Sequence, residues 1–257
     1  FIGKIEFKNV SFKYKKQYVL KNFSLTINKG ETVALVGQSG SGKSTLANLI
    51  TRFYDVNKGD VFIDNSNIKD VTKTSLRALM GIVSQDSILF NDTIANNIKL
   101  GTPNASYTAI MEAAKIANAH EFIMNSEQGY DTRIGDRGDK LSGGQKQRIG
   151  IARAFAGSPK VVVADEPVSA LDVSVQAAVT DLLMDIQRKA RTTLLFISHD
   201  LSIVRYLSDR VMVMNKGVII ETGDTESLWA DPQEKYTREL LKAIPLADPK
   251  LERERVL

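Results

Sequence analysis

The stretch Val33–Thr45, VALVGQSGSGKST, decides how the chain folds. Four apolar residues run into a glycine-rich loop of the pattern G-x-x-x-x-G-K-[ST], and the residues after the loop are typical of a helix. Glycines let the backbone wrap a phosphate group with its amide N–H groups, and the following helix adds its positive N-terminal end. The stretch therefore predicts a phosphate-binding loop between a strand and a helix. We expect Lys43 to bridge the β- and γ-phosphates of a nucleotide and Ser44 to hold Mg²⁺. A chance glycine-rich turn is the alternative, and the strand–loop–helix context argues against it.

Strands and helices alternate along most of the chain, which implies a mostly parallel sheet covered on both faces. The block from Asp86 to Ala156 differs, because helices predominate there and indicate a helical insertion. Within it we predict one helix over Ser106–Asn125 and another over Gly143–Ala156. The charged end PLADPKLERERVL is predicted to fray. The main strands are predicted within Gly3–Tyr14, Phe23–Gly37, Lys58–Ile68, Gly81–Gln85, Lys160–Asp165, Thr192–Ser198 and Arg210–Gly223, and the other long helices within Gly42–Tyr54 and Val173–Lys189.

Four of the apolar strands end in a residue suited to ligand binding. VALV runs into Gly37, GIVS into Gln85, VVVA into Asp165 and Glu166, and LLFIS into His199. Ligands of parallel sheets bind beyond the carboxyl ends of the strands. If these strands are parallel neighbours, their four ends lie on one edge of the sheet and form one site.

The polar residues at these strand ends have candidate roles in nucleotide chemistry. Asp165 is expected to be a direct or indirect partner of Mg²⁺. Glu166 is placed to polarise an attacking water, although it could instead cap the turn that Pro167 helps to form. His199 is a candidate contact of the γ-phosphate, with an ordinary surface or core histidine as the alternative. Gln85 could equally be a turn or capping residue.

Composition limits the possible functions. A chain of 257 residues suits one large domain or two lobes, and its net charge of +4 is too small to indicate nucleic-acid binding. The absence of cysteine excludes disulfides and thiolate metal sites and fits a reducing compartment. No apolar run approaches the roughly 20 residues that span a bilayer, and no signal peptide is visible. Because the chain begins at Phe1, we interpret it as a fragment of a longer protein.

The second motif is LSGGQKQRI, Leu141–Ile149. Ser142 and Gln145 have the spacing of a capping box, so the stretch could simply begin a helix. However, Gly143 and Gly144 would weaken the first turn by around 1 kcal/mol each. Their presence makes sense if something approaches the backbone closely, and a phosphate at this helix N-terminus would fit.

Taken together, the two motifs, Gln85, the Asp165–Glu166 pair, SALD at Ser169–Asp172 and His199 resemble the nucleotide-binding domain of ABC transporters over nearly the whole chain. The resemblance implies an α/β fold, a RecA-like P-loop NTPase with a mostly parallel core sheet, an N-terminal antiparallel β subdomain and an inserted helical subdomain. Residues 1–257 would form one ABC ATPase domain. Its core lobe would comprise residues 1–85 and 157–245, its helical subdomain residues 86–156, and its tail residues 246–257.

The resemblance also implies the ligands and the roles of the site residues. ATP and Mg²⁺ would be bound between two copies paired head to tail, each phosphate loop facing the LSGGQ motif of the other copy, while SALD would signal between the two sites. Tyr14 would stack on adenine, with an ordinary strand aromatic as the alternative. The implied catalytic residues are Lys43, Gln85, Glu166 and His199. The implied metal ligands are Ser44, Gln85 and Asp165, and the implied nucleotide contacts are Tyr14, Gly37, Ser39, Gly40, Ser41, Gly42, Lys43, Ser44, Thr45, Ser142, Gly143, Gly144 and Gln145.

The two halves of the chain resemble different branches of the family. Up to about residue 155, stretches such as SQDSILFNDTIANNI and GYDTRIGDRGDKLSGGQKQRI are similar to exporters of the lipid A or multidrug type. Beyond it, DEPVSALDVSVQAAV and FISHDLSIVRYLSDRV are similar to oligopeptide or dipeptide importers. This predicts a chimera joined between Arg153 and Ala164, with natural divergence as the alternative.

The main hypothesis is an ATP-hydrolysing transporter motor at the cytoplasmic face of the inner membrane. Its transmembrane partner would have preceded Phe1 and would contact the segments near Gln85–Asn97 and Ile134–Gly138, and no nucleic-acid partner is expected. One alternative is a recombined module that binds nucleotide but hydrolyses it poorly. Another is a soluble ATPase of the family that works on ribosomes or DNA, but the lack of a second tandem domain and of a strongly basic stripe argues against it.

Overall fold

The computed structural model describes residues 3–244, so the predicted tail from residue 246 lies outside the described residues. Two sheets and ten α-helices form this part of the chain. The strands are β1 (Lys4–Phe12), β2 (Leu20–Asn28), β3 (Thr32–Val36), β4 (Lys58–Ile63), β5 (Ser66–Asn67), β6 (Met80–Ser84), β7 (Val161–Asp165), β8 (Thr193–Ile197), β9 (Arg210–Asn215) and β10 (Val218–Asp224). The helices are α1 (Lys43–Ile50), α2 (Lys73–Ala78), α3 (Ile94–Lys99), α4 (Tyr107–Ile116), α5 (His120–Met124), α6 (Gly143–Phe155), α7 (Val173–Ala190), α8 (Leu201–Leu207), α9 (Thr225–Ala230) and α10 (Lys235–Lys242).

The main sheet has the strand order β10-β9-β3-β8-β7-β6. All neighbours except β10 and β9 are parallel. Every residue of β3 and β8 is buried, as expected for strands covered on both faces. The strands β3, β8, β7 and β6 are consecutive in this order, so the sheet brings the four predicted strand ends to one edge.

The smaller sheet has the order β2-β1-β4-β5 and is antiparallel throughout. Along β2 the buried side chains Leu20, Phe23, Leu25 and Ile27 largely alternate with exposed ones, because only one face of this sheet is covered. The mostly parallel core and the N-terminal antiparallel sheet confirm the predicted α/β fold of a P-loop NTPase.

Two apolar cores lie on opposite faces of the main sheet. Val33 and Leu35 of β3 pack with α1 and the smaller sheet, so the helix after the phosphate loop is fixed between the two sheets. Ala34 and Val36, which point the other way, pack with the helices of the inserted block and with α7 and α8. The loop between β3 and α1 is thus held from both ends by buried structure.

The helical block contains α3 to α6, and its last helix agrees with the prediction. The single helix predicted over Ser106–Asn125 is wrong, because α4 ends at Ile116 and α5 begins at His120. Asn118, between them, has a left-handed backbone with φ of 49°, a conformation that asparagine adopts more readily than most residues. Similarly, α1 ends at Ile50, before the predicted Tyr54.

The arginine just beyond α1 explains that early end. Arg52 is in the left-handed region, with φ of 51°, and its guanidinium donates to the carbonyls of Ile68 (2.7 Å) and Val71 (2.9 Å). The chain therefore leaves the helical path to make these tertiary hydrogen bonds. Within residues 3–244, no helix has both the length and the apolar character that crossing a bilayer requires.

Candidate active site

The phosphate loop follows β3 and ends where α1 begins. Gly37 has φ of 146°, and a Cβ at this position would lie 2.1 Å from the carbonyl oxygen of Met214 in β9. No other residue type fits there without moving β9, so the neighbouring strand fixes the start of the loop. At the other end of the loop, α1 is long enough to present free backbone N–H groups and a partial positive charge.

Lys43, the first residue of α1, is buried and turns back over its own loop. Its Nζ donates to the carbonyl oxygens of Gly37 (2.7 Å) and Gln38 (3.0 Å). Burial lowers the pKa of Lys43, while the nearby carboxylates of Glu166 and Asp165 act in the opposite direction. The ammonium group is therefore held at the loop, where the oxygens of an anionic ligand would compensate for its burial.

Ser44, which follows Lys43 in the chain, places its hydroxyl beside the carboxylate of Asp165. The Ser44 hydroxyl donates to Asp165 Oδ1 at 3.1 Å. Burial raises the pKa of Asp165; the Ser44 hydroxyl opposes this rise and the charge of Glu166 adds to it. A cation beside these two oxygens would favour the ionised carboxylate.

This donor set fits Mg²⁺. The ion prefers oxygen ligands and is usually held by one or two carboxylates together with waters and substrate phosphates. Within the described part of the chain, no group of three or more His, Asp or Glu side chains could hold a metal by itself. The protein offers one carboxylate and one hydroxyl, from Asp165 and Ser44, and the Gln85 amide lines the same cleft. A metal ion bound there would need further ligands from a nucleotide.

Glu166 and His199 meet directly, which the sequence did not predict. His199 Nδ1 lies 2.6 Å from Glu166 Oε2, and the imidazole is largely exposed. The backbone of Glu166 is in the left-handed region, with φ of 52°, and its N–H donates to the carbonyl of Ile197 at 2.9 Å. A non-glycine residue held in this conformation is common at functional sites, where surrounding contacts fix the side chain.

The strand ends meet in one open cleft of about 560 Å³. Of the predicted site residues, most of the phosphate loop lines it together with Gln85, Glu166 and His199, whereas Gly37 and Ser41 do not. Asp165 is hydrogen-bonded to Ser44. The lining residues are Val19, Ser39, Gly40, Gly42, Lys43, Ser44, Thr45, Gln85, Glu166 and His199. Val19, in the segment before β2, was not predicted, because an isolated valine gives no sign of a ligand.

Tyr14 lies beside the cleft, just beyond the end of β1. Its hydroxyl is 3.4 Å from Thr45 Oγ1 and 3.3 Å from Asn48 Nδ2, so the ring stands against the first turns of α1. The ring is 46% exposed and makes an edge contact with Tyr54, with ring centres 5.0 Å apart. Edge contacts with Phe12 and Tyr54 and the contacts with α1 place Tyr14 beside the cleft, and its role in stacking on adenine stays a prediction.

A residue near the C-terminal end of the described chain also contacts the loop. The backbone N–H of Gln38 donates to the Tyr236 hydroxyl at 3.0 Å, so α10 contacts the phosphate loop. No local pattern around Tyr236 indicates this contact, because it depends on how α10 packs on the main sheet.

The LSGGQ segment occupies a different place. Ser142 caps α6 by accepting from the Gln145 N–H (3.3 Å), and its own N–H donates to Gln145 Oε1 (2.9 Å). The predicted capping box is present. Among the described residues that line the cleft, none comes from 142–145.

The two glycines of this segment differ. A Cβ on Gly144 would lie 2.9 Å from Val175 Cγ1, so packing against α7 accounts for this glycine. A Cβ on Gly143 would meet only Leu171 Cδ2, at an ordinary 3.6 Å, and the residue is exposed. Packing therefore gives a second explanation for the glycine at 144 but none for the glycine at 143, and the predicted nucleotide contacts of both residues stay predictions.

The two segments predicted to contact a membrane partner are neighbours. The Ile94 N–H donates to the Thr132 carbonyl (3.1 Å), and the Ile134 N–H donates to the Asp92 carbonyl (3.2 Å). Beside this pairing, Ile88 and Phe90 are more than half exposed. An apolar surface thus lies on the same loop as Gln85.

The chain matches a family model described as ABC transporter over residues 20–169. It is 51% identical over 230 residues to a multidrug export ATP-binding/permease protein of Staphylococcus aureus, and 50% identical to the corresponding protein of a bovine strain of that species. Each match covers 89% of this chain and 39% of the relative, so the chain spans about two fifths of the length of these relatives.

Among solved structures, a bacterial Atm1-family ABC exporter with ATP bound superposes with a TM-score of 0.82 at 41% identity. The match covers 93% of this chain and 41% of the exporter chain. The predicted junction between Arg153 and Ala164 lies within the span that a single exporter matches. These comparisons give no support to the predicted chimera, which stays a prediction.

The family model covers more than half of the chain, and the exporter matches cover nearly all of it. The phosphate loop and the cleft around it belong to this matched fold. The chain therefore belongs to the ABC transporter family, as an ATP-binding domain that hydrolyses ATP and is similar to the corresponding part of the exporters.

Proposed function

We propose that this domain is a motor that hydrolyses Mg-ATP between two copies of itself and drives transport by a membrane partner. The convergence of Lys43, Ser44, Gln85, Glu166 and His199 in one cleft at the carboxyl edge of a parallel sheet carries the proposal. Each of these residues has a separate task in phosphoryl transfer, and the sheet register sets their relative positions.

The triphosphate binds to the loop between β3 and α1. Backbone N–H groups of the loop and the N-terminus of α1 face the phosphate oxygens, and the Lys43 ammonium is already held beside the Gly37 and Gln38 carbonyls. Glycines at 37, 40 and 42 keep the backbone accessible, and Ser39, Ser41 and Thr45 complete the loop. The Tyr14 ring stacks on the adenine.

Ser44, Asp165 and Gln85 hold Mg²⁺, which neutralises charge on the β- and γ-phosphates when it is bound. The Ser44–Asp165 contact brings the hydroxyl and the carboxylate together before the ion is present. Gln85 directly follows β6, whose last residue, Ser84, pairs with Asp165 of β7, and Gln85 lines the same cleft as Ser44.

Glu166 orients the attacking water and accepts its proton. The water oxygen forms a bond to the γ-phosphorus in line with the bond to the β–γ bridging oxygen, which breaks, giving ADP and inorganic phosphate. His199 holds the Glu166 carboxylate through its Nδ1 and, from the wall of the same cleft, would stabilise charge on the γ-phosphate.

The second copy completes the site. The Ser142–Gln145 segment is separate from the phosphate-loop cleft of its own chain, whereas Gly143 is exposed at the N-terminus of a 13-residue helix. A head-to-tail pair places this end over the ATP of the partner, and Ser169–Asp172 lies between the two sites. ATP thereby favours the closed pair, and hydrolysis favours its opening.

The parts of the domain divide the work. The core lobe, residues 1–85 and 157–245, carries the phosphate loop and the acids, and residues 86–156 carry α6, the signature helix, which begins within the LSGGQ motif. The paired segments Gln85–Asn97 and Ile134–Gly138 contact the membrane partner at the cytoplasmic face of the inner membrane. The exposed Ile88 and Phe90 supply apolar contact area there.

Phosphate release from the wild-type domain and its Glu166→Gln variant tests the catalytic assignment. We expect the variant to lose about 100-fold or more of the turnover, which is the usual contribution of a general base. Both proteins should show the same stabilisation by Mg-ATP in thermal unfolding. Glu112→Gln is the matched control, because Glu112 is an exposed glutamate paired only with Lys115.

Two outcomes would contradict the proposal. Turnover that survives in the Glu166→Gln variant would remove the catalytic role of this residue. Binding of Mg-ATP by the wild-type domain without Glu166-dependent turnover would favour the poorly hydrolysing module instead.

Light scattering of the Glu166→Gln variant tests the pairing. With saturating Mg-ATP at high protein concentration we expect the mass of a dimer, and without nucleotide that of a monomer. A mass of one chain under both conditions would exclude the head-to-tail pair.

A further inference from the structure

A single buried side chain joins the signature helix to both catalytic strand ends. Gln147, in the second turn of α6, is 2% exposed. Its Nε2 donates to the carbonyls of Ser84 (3.2 Å) and Pro167 (2.6 Å), and its Oε1 accepts from the Ser87 hydroxyl (2.7 Å).

The hydrogen-bond partners of Gln147 lie next to two residues of the proposed catalytic site. Ser84 and Ser87 lie on either side of Gln85, and Pro167 directly follows Glu166. An amide has two N–H donors, and both are used here on separate strand ends. Because buried carbonyls left without donors are costly, the side chain fixes both strand ends relative to α6.

The packing of α6 supports the same contact. A Cβ on Gly150 would lie 2.2 Å from the Ser87 hydroxyl oxygen, so the helix approaches this loop too closely for any larger residue. Gly150 is three positions after Gln147, on the same face of the helix. Two successive turns of α6 therefore hold the loop that carries Gln85.

We propose that Gln147 is a positioning residue that makes Gln85 and Glu166 move together with the signature helix. The inference rests on the proposed function, in which the partner's ATP binds at the start of α6. A displacement of α6 caused by that ATP is transmitted through one amide to the metal-side glutamine and to the catalytic carboxylate. The same amide resists independent movement of either group.

Steady-state ATP hydrolysis by Gln147→Met tests the proposal. Methionine has a similar length but no N–H donors, so the carbonyls of Ser84 and Pro167 lose their partner. We expect kcat to fall at least tenfold while KM for ATP changes less than threefold, because the phosphate loop is untouched. Assays are run well below the unfolding temperature of each variant.

Gln187→Met is the matched control. Gln187 lies on α7, and its Nε2 donates to the Gly30 carbonyl at 3.0 Å, away from the cleft. Losing this bond should lower stability but leave kcat within twofold of the wild type. If Gln147→Met shows the same kcat and KM as this control, the positioning role is excluded.

Ser87→Ala provides a milder second test, in case Gln147→Met does not fold. It removes only the partner of Oε1, so we expect a twofold to fivefold fall in kcat at unchanged KM. Added to Gln147→Met, it should cause no further loss, because both changes act on one network. An unchanged kcat for Ser87→Ala, or independent losses in the double variant, would overturn the proposal.

Amide hydrogen exchange separates this inference from the proposed function, since it needs no turnover. In Gln147→Met, peptides covering residues 84–88 and 166–170 should both exchange faster, and in Gln187→Met neither should. Faster exchange in only one segment would contradict coupled positioning. If the exchange result holds but the wild type shows no Glu166-dependent turnover, the proposed function fails and the structural coupling stands.

Discussion

The phosphate-loop cleft and the Ser142–Gln145 segment, called the signature segment below, are both built around the N-terminus of a helix. They differ in the residues that surround that helix end. At α1 the loop, two acids and a histidine from neighbouring strands converge. At α6 the exposed backbone is satisfied locally by the capping box of Ser142 and Gln145, and Gly143 faces outward. The first site is assembled by the sheet of one chain, whereas the helix end at Gly143 borders a separate cleft that Arg137 and Lys146 also line.

This difference supports the proposed head-to-tail pair. In the proposed pair, a nucleotide bound at the cleft would meet the charged groups of its own chain on one side, and the Ser142–Gln145 segment of the other copy would cover the opposite side. Each region supplies what the other lacks. Changes at the signature segment should therefore affect turnover without affecting binding to one chain, and changes in the cleft should affect binding directly.

The largest effect is expected from Gly143→Asp. A carboxylate at this exposed position fits sterically and favours the helix N-terminus, so the monomer should unfold at the same temperature or slightly higher. In the proposed pair, however, the carboxylate would face the partner's phosphates, and we expect hydrolysis to fall about 100-fold, as for loss of one key charge-stabilising contact. Phosphate release and thermal unfolding measure the two effects. Wild-type turnover would show that nothing anionic approaches Gly143.

The second effect concerns the cleft side. Tyr14→Ala should weaken ATP binding about tenfold, since stacking of a base on an aromatic ring contributes roughly 1–3 kcal/mol. Tyr14→Phe should bind within twofold of the wild type, because the hydroxyl contacts are long, at 3.3 and 3.4 Å. Equilibrium titration with ATP compares the three proteins. Equal affinity of the Ala and Phe variants would exclude stacking.

Gly144→Ala should act on stability instead of chemistry. Overpacking against Val175 should lower the free energy of unfolding by about 1–3 kcal/mol, and the better helix propensity of alanine should offset about 1 kcal/mol of this loss. We expect a net loss near 1 kcal/mol in urea unfolding. The double variant with Val175→Ala should recover this loss, with Val175→Ala alone as the control. If Gly144→Ala instead abolishes turnover in a stable protein, both glycines serve the partner's nucleotide.

The smallest effect is expected from Asp165→Asn, measured without nucleotide. Because burial raises the pKa of Asp165 above 3.8, its ionisation at pH 7 opposes folding. The Asn variant should therefore unfold at a higher temperature than the wild type at pH 7. As pH falls through the raised pKa towards 3.8, the wild type regains this stability and the difference should vanish. If the difference in unfolding temperature instead grew as the pH fell, ionisation of Asp165 would not oppose folding.

Much of this comparison follows from local sequence patterns. Glycine spacing predicts the phosphate loop, and buried apolar runs ending at Gln85, Glu166 and His199 predict the cleft, because a parallel sheet aligns strand ends. The capping box is likewise a local pattern. These features depend on residues close together in the chain, or on a general rule of sheet topology.

The remaining features depend on tertiary packing. The Glu166–His199 contact, the Gln147 network and the Tyr236 contact each join segments that are distant in sequence, so no single window contains them. The break at Asn118 was missed because alanine-rich flanks favour a continuous helix, while packing against α6 favours a turn. Packing also accounts for Gly144, which the sequence alone assigned to a ligand.

The place of β3 in the main sheet also bears on how the chain is made. Thr32 pairs with Leu194 on one side, and Val33 with Arg210 on the other. At typical synthesis rates, β3 leaves the ribosome roughly ten to thirty seconds before either partner strand exists. During that time, five residues that are buried in the finished domain have both edges unpaired, a condition that promotes aggregation. Slower synthesis would lengthen this exposure, so the yield of folded domain should depend on chaperones that bind the nascent chain.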